Sequence, residues 1–366
     1  MSKAADTTVA RPLVTAIIDT FNHEAFIERA LTSVLTQGLS ERELEILVVD
    51  DGSTDRTPEI LQQFSNRVRV VRKQNGGQAS AFNIAIPLAR GEIVAFLDGD
   101  DWWSERKLIR VIEAFQRDLT TGVVGHGFYE IDEVSGRSLA IVPDSQRQVS
   151  LRTPTDGINF RSLMSFFGTS RVAIRKRVLD LVGPIPPALV IEADEYMSTV
   201  AVARSNAVLI PEALTFYRLH TGNSYQFQDG DVRKIRIKSM VLNELSGALR
   251  RELPCNQLED SVVTAVVKPI EVEATRLKLM CGGGMSWDAF KVERASIRLA
   301  YKHMPWKYRL FKGFVLALAL ILPPRLFYKL QQYYGKMNLR RFRRFTGEPV
   351  SREFLKAAEG NTYAKQ

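Results

Sequence analysis

Leu97-Asp98-Gly99-Asp100-Asp101 decides the fold of this chain. It closes the apolar run Ile93-Val94-Ala95-Phe96, the pattern of a buried strand. Three carboxylates therefore stand at a strand's C-terminal end, the edge where open α/β sheets take their ligands. In extended backbone Asp98 and Asp100, two residues apart, face the same side. Like charges that close demand a cation or a proton. A hard divalent ion held by one or two carboxylates and by substrate phosphates meets the demand. The structural alternative is an acidic turn capping a helix that begins near Ser104. Asp101, with Trp102 and Trp103 packed beneath it, suits that capping role.

Working outward, the first hundred residues alternate strand and helix patterns. Leu13–Asp19 is β-rich and Ala25–Thr36 has helical period. Glu45–Val49 is a second strand, ending in Asp50-Asp51-Gly52-Ser53. Thr57-Pro58 opens a helix with proline in the first turn, where it is tolerated. Val68–Val71 is a third strand, and Gly76-Gly77 leads into a helix through Ala89. Strands separated by single helices predict βαβ units and a parallel sheet. Right-handed crossovers set the C-terminal ends on one edge, so Asp19, Asp51 and Asp98 are expected to line one crevice.

The second half is more mixed. Val123–Tyr129 and Leu139–Val142 read as strands around a Ser135-Gly136 turn, and Glu195–Ala203 as a helix. Ala207–Leu219 reads as two short strands split by Pro211. Helical patterns dominate from Asp231 to about Met304.

Composition narrows the function classes. The chain has 366 residues and a net charge of +9. Eleven Lys and Arg but no Asp or Glu fall between Tyr301 and Phe345, so the basic character belongs to the tail. Two cysteines, Cys255 and Cys281, exclude a disulfide framework and a thiolate metal cluster. The first eleven residues are polar, without an apolar signal region, and no run approaches the roughly 20 apolar residues of a spanning helix. No G-x-G-x-x-G follows the first strand, which disfavours a Rossmann dehydrogenase.

Val14-Thr15-Ala16-Ile17-Ile18-Asp19-Thr20-Phe21-Asn22, Ser33-Val34-Leu35-Thr36-Gln37 and Glu45 through Asp55 form an ordered series. Asn75-Gly76-Gly77, Ala81, Asn83, Gly91-Glu92 and Leu97 through Asp101 continue it. Over residues 12–225 this series resembles the family 2 glycosyltransferases. The resemblance implies the GT-A nucleotide-sugar-binding fold, a Rossmann-like mixed sheet flanked by helices, here with a helical C-terminal extension. With the helical patterns and the basic run beyond it, the expected organisation is a catalytic domain over residues 1–228, a helical region over 229–304 and a basic amphipathic tail over 305–366. Phe21 stands where Tyr is common, and Phe82 replaces a frequent Arg, leaving Arg72 or Arg90 to compensate.

The resemblance also implies residue roles. Asp51 accepts a hydrogen bond from a uracil base, or is a turn residue. Phe21 stacks on the base or is a core aromatic. Asp19 contacts nucleoside or caps the first helix. Asp100, then Asp98, hold Mn²⁺ or Mg²⁺, with Asp98 alternatively on the ribose. His220 is a third metal ligand or structural. Gly168, in Gly168-Thr169-Ser170, lets backbone approach donor sugar and acceptor, and Arg218 grips phosphate or packs along the sheet.

The resemblance implies that the base deprotonating the acceptor lies among Glu192, Asp194 and Glu195, the structural alternative being three acids that start a solvated helix. Asp194 is chosen because a helix from Glu195 would put it at the N-cap, where the dipole favours a carboxylate. The expected activity is inverting transfer of a sugar from a nucleoside diphosphate, UDP foremost, to a hydroxyl of a glycan or lipid-linked acceptor. The irregular acid spacing keeps a non-catalytic nucleotide-sugar sensor or scaffold as the alternative. The tail, with Phe314–Leu322 between Lys312 and Arg325, reads as a contact with anionic membrane rather than nucleic acid. The expected location is peripheral, at the inner face of the cytoplasmic membrane.

Overall fold

Four parallel strands bring the first acids to one edge of a sheet. They are β1 (Val14–Thr20), β2 (Leu44–Asp50), β3 (Arg69–Arg72) and β4 (Ile93–Asp98), side by side as β3-β2-β1-β4. Helices α1 (Ile27–Leu35), α2 (Thr57–Gln63) and α3 (Gly77–Leu88) are the crossovers. The computed structural model describes residues 11–133, 135–220, 231–300 and 306–336. Ile27, Ala30, Leu31 and Val34 recur at helical spacing along α1 and are buried. They join Ile18, Val48 and Leu97 in one apolar core. Phe82 is fully buried against Phe96, so the position that loses the family's arginine has become core.

Beyond β4 the sheet turns mixed. The short β5 (Trp102–Trp103) and α4 (Lys107–Arg117) precede β6 (Thr121–Asp132), β7 (Arg137–Ile141) and β8 (Arg147–Val149). Then come α5 (Pro154–Ser162), β9 (Val172–Arg175), α6 (Lys176–Val182), α7 (Ala193–Arg204) and β10 (Asn206–Leu219). The full order is β3-β2-β1-β4-β9-β6-β10-β5, with β9 antiparallel to both neighbours, β7 beside β6 and β8 beside β10. This is the mixed sheet flanked by helices that the family resemblance implies, and the purely parallel pattern read from the strand–helix alternation holds only for β1 to β4. Pro211 does not split β10: one strand runs through it, its register with β6 shifting between Ile210 and Thr215. A bulge accommodates the missing N–H that a regular ladder would need.

Two compact units divide the chain, residues 1–221 with 251–262 and residues 222–250 with 263–366. The second holds the C-terminal helical extension: most of α8 (Val232–Cys255) and α9 (Asp260–Met280), then α10 (Ser286–Ala300), α11 (Trp306–Ile321) and α12 (Pro324–Lys336). Leu279, Ala289, Val292, Val315, Ala319 and Phe327 share its core. Cys255 and Cys281 are free thiols. Part of the basic tail, from residue 337 onward, lies outside the described residues.

Candidate active site

Register fixes the acids at the C-terminal edge. Asp19 is opposite Asp98 in the β1–β4 ladder, and Asp51 follows the last residue of β2, its N–H bonded to the Thr20 carbonyl at 2.8 Å. Asp19 carries the clearest signature of crowding. Burial, then the charge of Asp100, push its carboxyl up to about 8, and Asp194 and Asp51 add to the shift. Its Oδ1 is buried with no hydrogen-bond partner among the described residues. Carboxylates from three strand ends and a helix start therefore share one field.

The Leu97–Asp101 turn divides its acids by environment. Burial and the charge of Asp19 hold the Asp98 carboxyl well above its ordinary value, while Ser170 Oγ sits 3.1 Å from its N–H and 3.3 Å from Oδ2. Burial also pushes Asp100 up, but His220 Nε2, 3.2 Å from Oδ2, and the charge of His23 at 4.0 Å outweigh it and leave Asp100 below the usual range. Burial opposes protonation of His23 more than Asp100 favours it, so His23 titrates below an ordinary histidine. A Cβ on Gly99 would lie 2.7 Å from both His23 Nδ1 and Thr20 Oγ1, so only glycine lets this turn close on β1. Asp101 does not cap α4, whose N-cap is Arg106. It instead receives the backbone N–H of Arg218 at 2.9 Å, and burial with Asp100 beside it raises its carboxyl to about 7.

Asp51 sits in a nest of donors: the N–H of Gly76 at 3.0 Å, the N–H of Gly77 at 2.7 Å, and the Lys73 ammonium. Phe21 is 41% exposed, not core. Asp19 belongs to β1 and does not cap α1, whose N-cap is Phe26. Arg72 bonds the Ser53 carbonyl at 2.8 Å and pairs with Asp50 at 3.3 Å. Arg90 cannot compensate for Phe82. It pairs at 2.7 Å with Glu45, near the start of β2, and so lies at the opposite edge of the sheet. Arg218 packs along the sheet edge, its Nε on the Asp100 carbonyl at 2.7 Å and its guanidinium paired with Glu133.

The helix expected to start at Glu195 begins at Ala193. Glu192 is its N-cap with φ 61°, a left-handed residue, so Asp194 lies in the first turn and is not the cap. Asp194 Oδ2 accepts from Thr169 N at 3.0 Å and Thr169 Oγ1 at 3.2 Å. Burial, then the charge of Glu192, raise its pKa. Glu195 is tied to Arg161 at 2.5 Å. Gly168 opens this loop, where a Cβ would fall 2.2 Å from an Arg171 guanidinium nitrogen.

Four residues here were not read from sequence: His23, Gln78, Ser170 and Lys107. Gln78 bonds Thr169 Oγ1 at 2.9 Å and the Ala193 N–H at 3.1 Å, joining α3 to the Asp194 turn. Lys107 is fully buried, its ammonium 3.0 Å from the Ser170 carbonyl and over the Trp103 ring. Ser170 lay within the Gly168-Thr169-Ser170 stretch that the sequence had flagged, and His23 one residue past the Phe21-Asn22 pair.

Among the described residues no three acidic, histidine or cysteine side chains converge to hold a cation alone. The donor set still fits one. Asp100 is held charged beside His220, Asp98 adjoins it, and Asp19 has an orphaned oxygen. One or two carboxylates completed by substrate phosphates is how Mg²⁺ commonly binds.

Residues 15–182 match the model described as Glycosyl transferase family 2. The chain is 32% identical over 219 residues to the Nostoc sp. glycosyltransferase alr2836, covering 58% of this chain and 66% of that protein. It is 43% identical over 107 residues to Bacillus subtilis TuaG, named for teichuronic acid biosynthesis, covering 28% of this chain and 42% of that protein. The chain thus spans 66% and 42% of the lengths of these two curated relatives. S. aureus TarS 1–349 superposes with a TM-score of 0.56 at 17% identity, over 89% of this chain and 92% of that one. Its complex with UDP-GlcNAc gives 0.54 at 18%, over 87% and 91%. At such identity the likeness concerns the fold, which is GT-A.

Proposed function

This chain belongs to glycosyl transferase family 2 through residues 15–182, and on that premise we propose that it is an inverting glycosyltransferase. It moves a sugar from a nucleoside diphosphate, UDP in our reading, to a hydroxyl of a glycan or lipid-linked acceptor in cell-surface polysaccharide assembly. TuaG, named for such a pathway, and the UDP-GlcNAc complex of TarS support the donor and acceptor classes. The catalytic domain is residues 1–228, followed by a helical region to 304 and a basic tail that meets anionic membrane at the inner face of the cytoplasmic membrane.

The geometry supports these roles. Asp51 accepts the base's N–H, beside Phe21 as a stacking face and Asp19 near the nucleoside. Arg72 and the Gly168 turn border the diphosphate and sugar. Asp100, Asp98 and His220 would hold Mn²⁺ or Mg²⁺, which would supply positive charge against the leaving diphosphate. Asp194 is the base: Thr169 aims it, the first turn of α7 favours its charged form, and burial strengthens it as a proton acceptor. The acceptor oxygen loses its proton to Asp194 and bonds to the anomeric carbon. The bond from that carbon to the diphosphate oxygen breaks, and the electron pair leaves with the nucleotide.

The observation that carries this reading is the shared field of Asp19, Asp51, Asp98, Asp100 and Asp194 at one sheet edge. A screen of nucleotide sugars for metal-dependent diphosphate release, with and without acceptors, tests it. Asp194→Asn should slow transfer by about 10²–10⁴-fold and leave nucleotide binding intact. A sensor would keep its output in that variant.

A further inference from the structure

We infer that the bare sides of α11 and α12 form the face on which this protein lies on an anionic lipid bilayer. This deepens the membrane contact proposed above by naming the surface and its chemistry. Both helices bury one side in the same core, through Val315 and Ala319 on α11 and Phe327 on α12. The opposite side of α11 is apolar and open. Trp306, Leu310, Phe314 and Ile321 are 67%, 66%, 60% and 75% exposed, at spacings that keep them on one stripe. On α12, Leu326, Leu330 and Tyr333 repeat the pattern. A water-facing helix reverses this distribution, and contiguous bare apolar surface marks an interaction site.

Charge selects the occupant. Residues 306–336 contain six Lys and Arg and no Asp or Glu. Lys307 and Arg309 accompany the α11 stripe, and Arg325 and Lys329 the α12 stripe, all exposed. A second copy of these two helices would bring cations toward cations, since residues 306–336 hold no Asp or Glu. An anionic bilayer offers apolar depth for Trp306, Phe314 and Leu310, and negative headgroups for the cations. The helices have 16 and 13 residues, short of the roughly 20 a spanning helix needs. Among the described residues no helix is long and apolar enough to cross a membrane. They lie in the interface plane.

The test is flotation of the full chain with phosphatidylcholine vesicles, plain or containing about a third phosphatidylglycerol. The wild type should bind the anionic vesicles at least about tenfold more tightly than the neutral ones, and salt should weaken that binding. L310E/F314E should lose at least about tenfold in affinity, with melting temperature and donor hydrolysis unchanged. K307Q/R309Q should lose the anionic preference and part of the affinity. Wild-type protein that ignores anionic vesicles overturns the inference, as does equal binding by L310E/F314E. So does a wild-type dimer that L310E/F314E dissolves while vesicle binding is absent. Vesicle binding without transfer from any donor would sink the transferase reading and leave this one standing. Transfer to a soluble acceptor without vesicle binding does the reverse.

Discussion

The two edges of one parallel sheet treat charge in opposite ways. At the N-terminal edge every named acid has its donors. Glu45 takes Thr15 Oγ1 at 2.6 Å, the Arg90 N–H at 2.8 Å and its Nε at 2.7 Å. Burial pushes Glu45 up, but these bonds outweigh it and hold the carboxyl below its ordinary value. Glu92 pairs with Arg175 at 2.6 Å, whose guanidinium also bonds the carbonyls of Thr121 and Phe115. At the C-terminal edge Asp19, Asp98 and Asp101 lie among other acids, and burial with like charge raises all three. Acids that serve the fold are satisfied within it. At the ligand edge Asp19 and Asp98 are left wanting positive charge, at a cost in stability the rest of the domain offsets, while Asp51 keeps the Lys73 ammonium and Asp100 keeps His220.

That contrast can be broken by substitution. The largest effect is expected at Asp194. Asparagine there should lower kcat by about 10²–10⁴-fold, the range for losing a general base, with the Kd for UDP unchanged in calorimetry. Asp100→Asn should cost about 10²–10³-fold in transfer by removing charge stabilisation at the leaving group. Because His220 and His23 hold its carboxyl below the usual range, the Asp100 charge is favoured in the fold, and the melting temperature should hold or fall slightly. Glu45→Gln should do the opposite, leaving kcat near wild type and lowering unfolding free energy by about 1–3 kcal/mol in urea titration.

A smaller effect sharpens the role of Asp194. The base works deprotonated, and its pKa is raised by burial first and Glu192 second. Activity should therefore fall as pH drops through a value above an ordinary aspartate's, and Glu192→Gln should move that acid limb to lower pH. A limb that stays in place would assign the base elsewhere, with Glu195, paired to Arg161, the weaker candidate.

The parallel half of the fold was legible because each βαβ unit carries its own local signal. Apolar runs mark β1, β2 and β4, and the acids follow directly at their ends. Pro58 and Gly76-Gly77 punctuate the helices between them. What was not legible depends on contacts between distant segments. Lys107 is an ordinary helix residue by sequence, yet its buried ammonium meets the Ser170 carbonyl 63 residues away, and Gln78 meets Thr169 from 91 residues away. The start of α7 was misplaced by two residues because Glu192 adopts a left-handed conformation that glutamate seldom takes. Pro211 signals a break by local rules, yet strand pairing on both sides absorbs it as a bulge.

The most direct measurement is UDP affinity titrated with manganese, on the wild type and on Asp100→Asn. Acids gathered around a cation and a pyrophosphate predict that UDP binds at least about tenfold more tightly with manganese, and that Asp100→Asn loses the gain. Affinity indifferent to the metal in both proteins would contradict the account.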